Sequence, residues 1–246
     1  MQHCVIIPAR FRSTRFPAKP LAPLLGKAMI LWVAELSAKA VGKAHVYVAT
    51  EDQMIADLVE KHGFKALMTS TSAMTGTDRL AEAAEMIDYD FYINVQGDEP
   101  LVEPSDILRI AQRKAEEPEL IVNGFCYLGP DEDPNSPNIP KVVTTENNEL
   151  VYMSRSAVPG FKDPSKAPKN YKKQVCIYAF TRDDLRAYAE FGRKSVIEQS
   201  EDIEILRFLE LNRKIIMVET NPGSLAVDIP ADIPPVEAAL RLRHKL

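Results

Sequence analysis

Cys4-Val5-Ile6-Ile7-Pro8-Ala9-Arg10-Phe11-Arg12-Ser13-Thr14-Arg15-Phe16-Pro17-Ala18-Lys19-Pro20 is the stretch from which the rest of the chain can be read. Its first four residues are apolar and stop at a proline, the pattern of a short buried strand. Four cationic side chains then follow, Arg10, Arg12, Arg15 and Lys19, with no acid among them, in a chain of formal net charge -5. A solvated basic loop is one reading. The other is a loop at the carboxyl end of a strand that folds over a polyphosphate. Open α/β sheets place their ligands at that end, and Arg matches phosphate through a bidentate fork. Pro17 and Pro20 fix φ and favour a preformed loop.

Downstream, the chain alternates. Apolar positions at helical spacing over 27–41 lead to a strand at 46–49. A helix from Asp52 to Lys61 is stopped by Gly63, and a third strand covers 65–68. A helix over 78–87 and a strand at Phe91–Val95 complete the series, which predicts a mostly parallel sheet with crossover helices. Pro104 opens a helix to residue 115. A strand over 120–127, a hairpin of 142–144 with 150–153, and a strand over 175–180 then suggest a smaller, more antiparallel region. Helices over 183–191 and 202–211, a strand over 214–218 and a terminal helix over 231–246 close the chain. The loops 129–140 and 159–173 are too long for simple connections and suit lids or partner surfaces.

Composition narrows the function. With 46% apolar and 26% charged residues among 246, the chain can fill a core of ordinary size. Its acidic balance disfavours a nucleic-acid binder. Three distant cysteines without a CxxC motif suggest free thiols, and four histidines without HxxH or HExxH spacing make a zinc site a poor fit. No apolar run approaches the ~20 residues needed to span a bilayer, and the N-terminus lacks a signal-peptide pattern, so a cytoplasmic protein is expected.

Two acids stand at strand ends. Asp98, in Asn94-Val95-Gln96-Gly97-Asp98-Glu99-Pro100, falls at the same sheet edge as Arg10, where a carboxylate near phosphates suits Mg²⁺; the same residues also suit a turn. Asp228, in Leu225-Ala226-Val227-Asp228-Ile229-Pro230, is a second candidate ligand or a helix N-cap. Thr75-Gly76-Thr77-Asp78-Arg79 opens a helix and could meet an anion or simply cap it. GxxxxGK[ST], GxGxxG and GxSxG are missing, against Walker-type NTPases and serine hydrolases.

With these motifs in place, the sequence resembles the 3-deoxy-manno-octulosonate (Kdo) cytidylyltransferases almost end to end. The resemblance rests on IPARFRSTRFPAKPL (7–21), TGTDRL (75–80), INVQGDEP (93–100), YMSRSAVP (152–159) and VDIPAD (227–232). It implies a single domain with a nucleotide-diphospho-sugar transferase-like α/β fold. The expected parts are a nucleotide-binding half over 1–118, an inserted sugar-binding and dimerisation region over about 119–180, and a return to the core over 181–246. It further implies a homodimer and a reaction of CTP with a small acidic sugar, a 3-deoxy-2-ulosonic acid, giving the CMP-sugar and pyrophosphate for lipopolysaccharide or capsule synthesis. By position, Arg10, Ser13, Arg15 and Lys19 would hold the triphosphate, and Pro8, Ala9, Thr75 and Gly76 the cytidine. Arg10, Arg15, Lys19 and Asp98 would be catalytic, and Asp98 and Asp228 would bind Mg²⁺. Gln96, Arg155, Gln174, Tyr178 and Glu204 would face the sugar.

Two departures touch the implied sugar pocket: Gln174 stands where the family usually has His, and Ile205 where it usually has Gln. Ser70 and Ala73 replace a usual Arg and His on the cytidine side. An altered sugar is therefore expected, for instance an amino-substituted or nonulosonic acid. Other possibilities are a nucleotidyltransferase for another sugar and a non-catalytic nucleotide sensor on the same fold.

Overall fold

The computed structural model describes residues 1–12, 16–130 and 132–244. Its elements run β1 (His3–Ala9), β2 (Pro23–Leu24), β3 (Lys27–Ala28), α1 (Met29–Val41), β4 (Val46–Thr50), α2 (Gln53–Lys61), β5 (Lys65–Met68), α3 (Gly76–Ala84), β6 (Phe91–Val95) and α4 (Pro104–Glu116). They continue with β7 (Ile121–Tyr127), β8 (Lys141–Thr144), β9 (Leu150–Ser154), β10 (Lys172–Phe180), α5 (Arg182–Glu190), α6 (Val196–Glu201), α7 (Leu206–Glu210), β11 (Ile215–Glu219) and α8 (Ile233–His244).

β1 is buried on both faces because its apolar residues serve two layers. Val5, Ile7 and Ala9 pack with α1, α2 and α4, whereas Cys4 and Ile6 pack with α3, α5 and α7. Side chains that alternate across a strand require such a double cover. The sheet order is β11-β7-β10-β6-β1-β4-β5. β1 is parallel to β4 and β6, and β4 to β5; β11 is parallel to β7. β10 runs antiparallel to both β6 and β7. The result is a mixed, mostly parallel sheet flanked by helices. A third apolar cluster joins Met29 and Trp32 of α1 to Val236 and Leu240 of α8.

β10 changes partners along its length. Tyr178 to Phe180 pair with β6, while Lys172 and Lys173 pair with β8, and the register against β7 shifts between Val175 and Tyr178. Within 119–180, strands β7 and β10 belong to the central sheet, and the β8–β9 hairpin hangs from β10.

The helix expected over 202–211 forms only over Leu206–Glu210 (α7), and the helix α6, which was not anticipated, precedes it. Ser195 caps α6 through a reciprocal box with Glu198, and Asp202 ends it in the left-handed region (φ 50°). The short β2–β3 hairpin was not anticipated, and α8 begins at Ile233, after a 3₁₀ turn over Pro230–Asp232. Among the described residues, no helix is long and apolar enough to cross a membrane.

β1 and the loop after β6 approach closely at Gly97, where an added Cβ would lie 3.0 Å from the Pro8 carbonyl oxygen and 3.3 Å from Ile30 Cδ1. Gly97→Ala is therefore expected to lower stability by about 1–3 kcal/mol, read from the urea midpoint at unchanged m-value.

Candidate active site

The carboxyl ends of β1 and β6 open into a cleft of about 500 Å³. Its nucleotide-side expectations Pro8, Ala9, Arg10, Lys19, Thr75 and Gly76 all line it, as do the acids Asp98 and Asp228. The sugar-side expectations Gln96, Arg155, Gln174, Tyr178 and Glu204 line it as well. Ser13 and Arg15 lie outside the described residues.

The basic loop is tethered at its base. The Phe11 amide donates to Glu51 Oε1 at 3.0 Å, and the Ala18 amide donates to the Phe11 carbonyl at 2.9 Å. Glu51 also pairs with Arg79 at 2.8 Å, which brings a further guanidinium to the cleft. Burial lowers the Arg79 pKa against the pull of Glu51 and Glu82, and the nearby Arg10 charge adds to the lowering.

Lys19 stands between the two acids. Its ammonium is 2.5 Å from Asp98 Oδ2 and 3.7 Å from Asp228 Oδ1. Both carboxylates thus reach one cation, and their hard oxygen donors suit Mg²⁺. Among the described residues no group of three or more His, Cys, Asp or Glu side chains could hold a metal. A metal here would need further oxygens from phosphate and water.

Beside Asp98, Glu99 is almost completely buried and accepts a hydrogen bond from the Ser224 hydroxyl. Burial pushes its carboxyl up to about 7, against the pull of Ser224, and the Asp98 charge adds to the rise.

The turn before α3 is fully engaged. Thr75 caps the helix in a reciprocal box with Asp78, so capping is what its side chain does. Glu204 takes the remaining donors: Oε1 accepts from the Gly76 amide at 3.1 Å, and Oε2 from the Thr77 amide at 2.8 Å and hydroxyl at 2.7 Å. A Cβ at Gly76 would sit 3.2 Å from Gln96 Nε2 and 3.4 Å from Pro8 Cγ, so glycine lets both side chains close against the turn.

The opposite wall has a determined hydrogen-bond sense. Asn123 donates from Nδ2 to the Val175 and Ile177 carbonyls, each at 2.9 Å, so its Oδ1 is an acceptor. Gln174 Nε2 donates to that oxygen and to the Tyr178 hydroxyl, both at 3.2 Å. Its carbonyl Oε1 is what Gln174 can offer the cleft. Lys173 pairs with Glu132 at 2.5 Å and Lys194 with Asp202 at 2.8 Å on the same wall. Arg155 sends its guanidinium to the backbone carbonyls of Pro137, Glu201 and Asp202.

Ile205 corrects one expectation. It is 1% exposed and packs in the apolar layer with Leu206 and Phe208, not in the cleft. Ser70 is exposed and bonded to Ser72 and Glu82, whereas Ala73 does line the cleft.

Sequence reasoning also passed over Arg207. Its guanidinium is fully buried and forms a bidentate pair with Glu198, both contacts at 2.7 Å, and a third with Asp78 at 3.0 Å. It also stacks 3.6 Å over the Tyr188 ring. Burial opposes its charge, but Glu198, Tyr188 and Asp78 outweigh burial and raise its pKa. The charge at Arg207 within the otherwise apolar Ile205–Leu209 stretch was the available signal.

A mixed sheet with a polar, two-ended cleft at the carboxyl ends of its parallel strands defines a nucleotidyltransferase-type protein. Residues 4–217 match the family model described as cytidylyltransferase. The chain is 37% identical over 236 residues to the 3-deoxy-manno-octulosonate cytidylyltransferase of Escherichia coli, covering 96% of this chain and 95% of that one. It is 41% identical over 247 residues to the protein of the same name from Trichlorobacter lovleyi, covering 95% and 96%. A solved structure of CMP:2-keto-3-deoxy-manno-octonic acid synthetase complexed with CTP superposes with a TM-score of 0.90 at 35% identity, over 99% of this chain and 100% of that one. A glucose-1-phosphate thymidylyltransferase from Bacillus anthracis, at 15% identity and TM-score 0.67 over 97% and 95% of the two chains, shares the fold. The chain belongs to the cytidylyltransferase family, among the 3-deoxy-manno-octulosonate cytidylyltransferases.

Arg207→Met strands two buried carboxylates and is expected to cost about 3–5 kcal/mol of stability, measured by urea unfolding. Glu99 gives a pH signature. Its folded pKa of about 7 lies above its ordinary value of 4.5, so its stabilising contribution is complete below pH 4.5 and is lost as pH rises through 7. In metal-free buffer, Glu99→Gln is expected to remove that decline from the unfolding free energy; an identical pH profile in wild type and variant would refute the assignment.

Proposed function

We propose that this chain activates Kdo, or a closely related 3-deoxy-2-ulosonic acid, by transferring CMP from CTP with release of pyrophosphate. The observation that carries this reading is the convergence of Arg10, Lys19, Asp98 and Asp228 with Gln96, Gln174 and Tyr178 around one cleft. The family to which the chain belongs supports CTP as the nucleotide. The anomeric oxygen of the sugar forms a bond to the α-phosphorus as the bond to the pyrophosphate oxygen breaks, and the hydroxyl proton is lost. Catalysis of such a step is mostly positioning and charge stabilisation.

Arg10, Ser13, Arg15 and Lys19 carry the triphosphate charge and that of the leaving pyrophosphate. Pro8, Ala9, Thr75 and Gly76 form the cytidine wall. Asp98 and Asp228 hold Mg²⁺, which when bound neutralises phosphate charge. On the sugar side, Gln174 presents a neutral acceptor, so the sugar accepted bears a hydroxyl or amine there. A cytoplasmic homodimer serving lipopolysaccharide or capsule synthesis fits this reading.

Pyrophosphate release from CTP with a panel of ulosonic acids, Kdo and amino-substituted relatives included, tests it. Turnover with at least one sugar is expected, abolished by EDTA; CTP binding without any turnover would instead favour a nucleotide sensor. Asp98→Asn should lower kcat by about 10²–10³-fold while leaving the circular dichroism spectrum unchanged.

A further inference from the structure

Arg155 lines the cleft, yet its guanidinium donates to backbone carbonyls of the protein. Nη1 donates to the Pro137 carbonyl at 2.7 Å, Nη2 to the Asp202 carbonyl at 2.9 Å, and Nε to the Glu201 carbonyl. The contact with Glu201 is reciprocal, since the Arg155 amide donates to Glu201 Oε2 at 2.9 Å. Glu201 is itself fixed by the hydroxyls of Ser154 at 2.7 Å and Tyr152 at 3.3 Å. Glu201 is the last residue of α6, so the guanidinium also sits at the negative end of a helix.

A second cation completes the arrangement. Lys141 is fully buried and donates to the Ser136 carbonyl at 2.8 Å and to the Arg155 carbonyl. Arg155 and Lys141 therefore grip consecutive carbonyls, Pro137 and Ser136, at the start of the strap that forms the cleft wall at Asn138, Ile139 and Pro140. The far end of the strap is held by the Gln174 amide, which donates to the Pro140 carbonyl at 3.0 Å. The strap has no helix or strand of its own. Its position depends on these side-chain grips and a few turn contacts.

We propose that Arg155 is a positioning residue: it clamps the Ser136–Pro140 strap to the α6 C-terminus and acts on the sugar through that wall, not as the sugar's ligand. The effect on the sugar rests on the sugar-activating reading of the cleft; the clamp itself does not. A planar fork can serve three carbonyls in different directions at once, which a lysine ammonium on a flexible stem does not reproduce.

The test combines hydrogen–deuterium exchange on the full ligand-free chain with steady-state kinetics, for wild type, Arg155→Ala and Arg155→Lys. Both variants are expected to speed exchange at Asn135, Ser136, Asn138 and Ile139 by about tenfold or more with no ligand present. Both should raise KM for the ulosonic acid about tenfold and leave KM for CTP within about twofold. Unchanged exchange alongside a raised sugar KM would mark Arg155 as a direct ligand and overturn the proposal, as would recovery of sugar KM by Arg155→Lys. If the wild type turns over no ulosonic acid, the functional reading falls, and the exchange measurement alone upholds or refutes the clamp.

Discussion

The buried contact of Arg207 with Glu198 and Asp78 ties together the helices that carry the Thr75–Gly76 side of the cleft. A charged guanidinium out of water is tolerable only when every face is answered, and here a bidentate carboxylate, a second carboxylate and the Tyr188 ring answer it. Its three anchors sit on different elements: Asp78 in the first turn of α3, Tyr188 on α5 and Glu198 on α6. Asp78 is also the residue that closes the capping box on Thr75. The same lock that holds α7 against the sheet thus fixes the turn expected to meet cytidine. Glu204, three residues before Arg207, reaches that turn from the other side through Gly76 and Thr77. The Thr75–Gly76 side of the cleft and the Glu204 side are consequently joined through α3 and the residues leading into α7.

Charge inside the cleft is arranged by the same principle of mutual answering. Asp98, Asp228 and Glu99 would repel one another if left alone in a recess. Lys19 contacts the first two, and protonation relieves the third near neutral pH. The concentration of acids beside a basic loop gives a site that attracts cations and anions at adjacent points, as a metal–triphosphate requires.

The sheet and most helices were legible because hydrophobic periodicity is a local signal. The apolar run Cys4–Ile7 read as a buried strand, and the structure buries it on both faces. α6 was illegible because six residues carry too little periodicity, and the left-handed backbone of Asp202 ends this helix where the sequence suggested that one began. The cleft was legible where strand-end motifs mark it: Arg10, Gln96 and Asp98 all line it. What stayed hidden depends on long-range pairing. Arg207 meets Asp78 across 129 positions, and Glu204 meets Thr77 across 127. No spacing rule connects residues so far apart. Ile205 misled for a different reason: the resemblance carried a sugar-pocket role to its position, and in this chain the side chain there packs into the core.

β10 links a defect in the sheet to the cleft wall that carries Gln174. This antiparallel strand shifts register against β7 between Val175 and Tyr178. The Asn123 side chain donates to the carbonyls of Val175 and Ile177 within that irregular stretch. Satisfying those carbonyls fixes the Asn123 amide, and the Asn123 oxygen in turn fixes the Gln174 amide. An imidazole at position 174 could donate or accept and would titrate near neutrality; the amide does not titrate, and with both of its N–H groups spent within the protein it can only accept. Position 174 therefore presents a fixed, uncharged acceptor at all physiological pH values. Among the carboxyls lining the cleft, burial raises the pKa of Glu99 beside Asp98 and of Glu204 against the turn before α3.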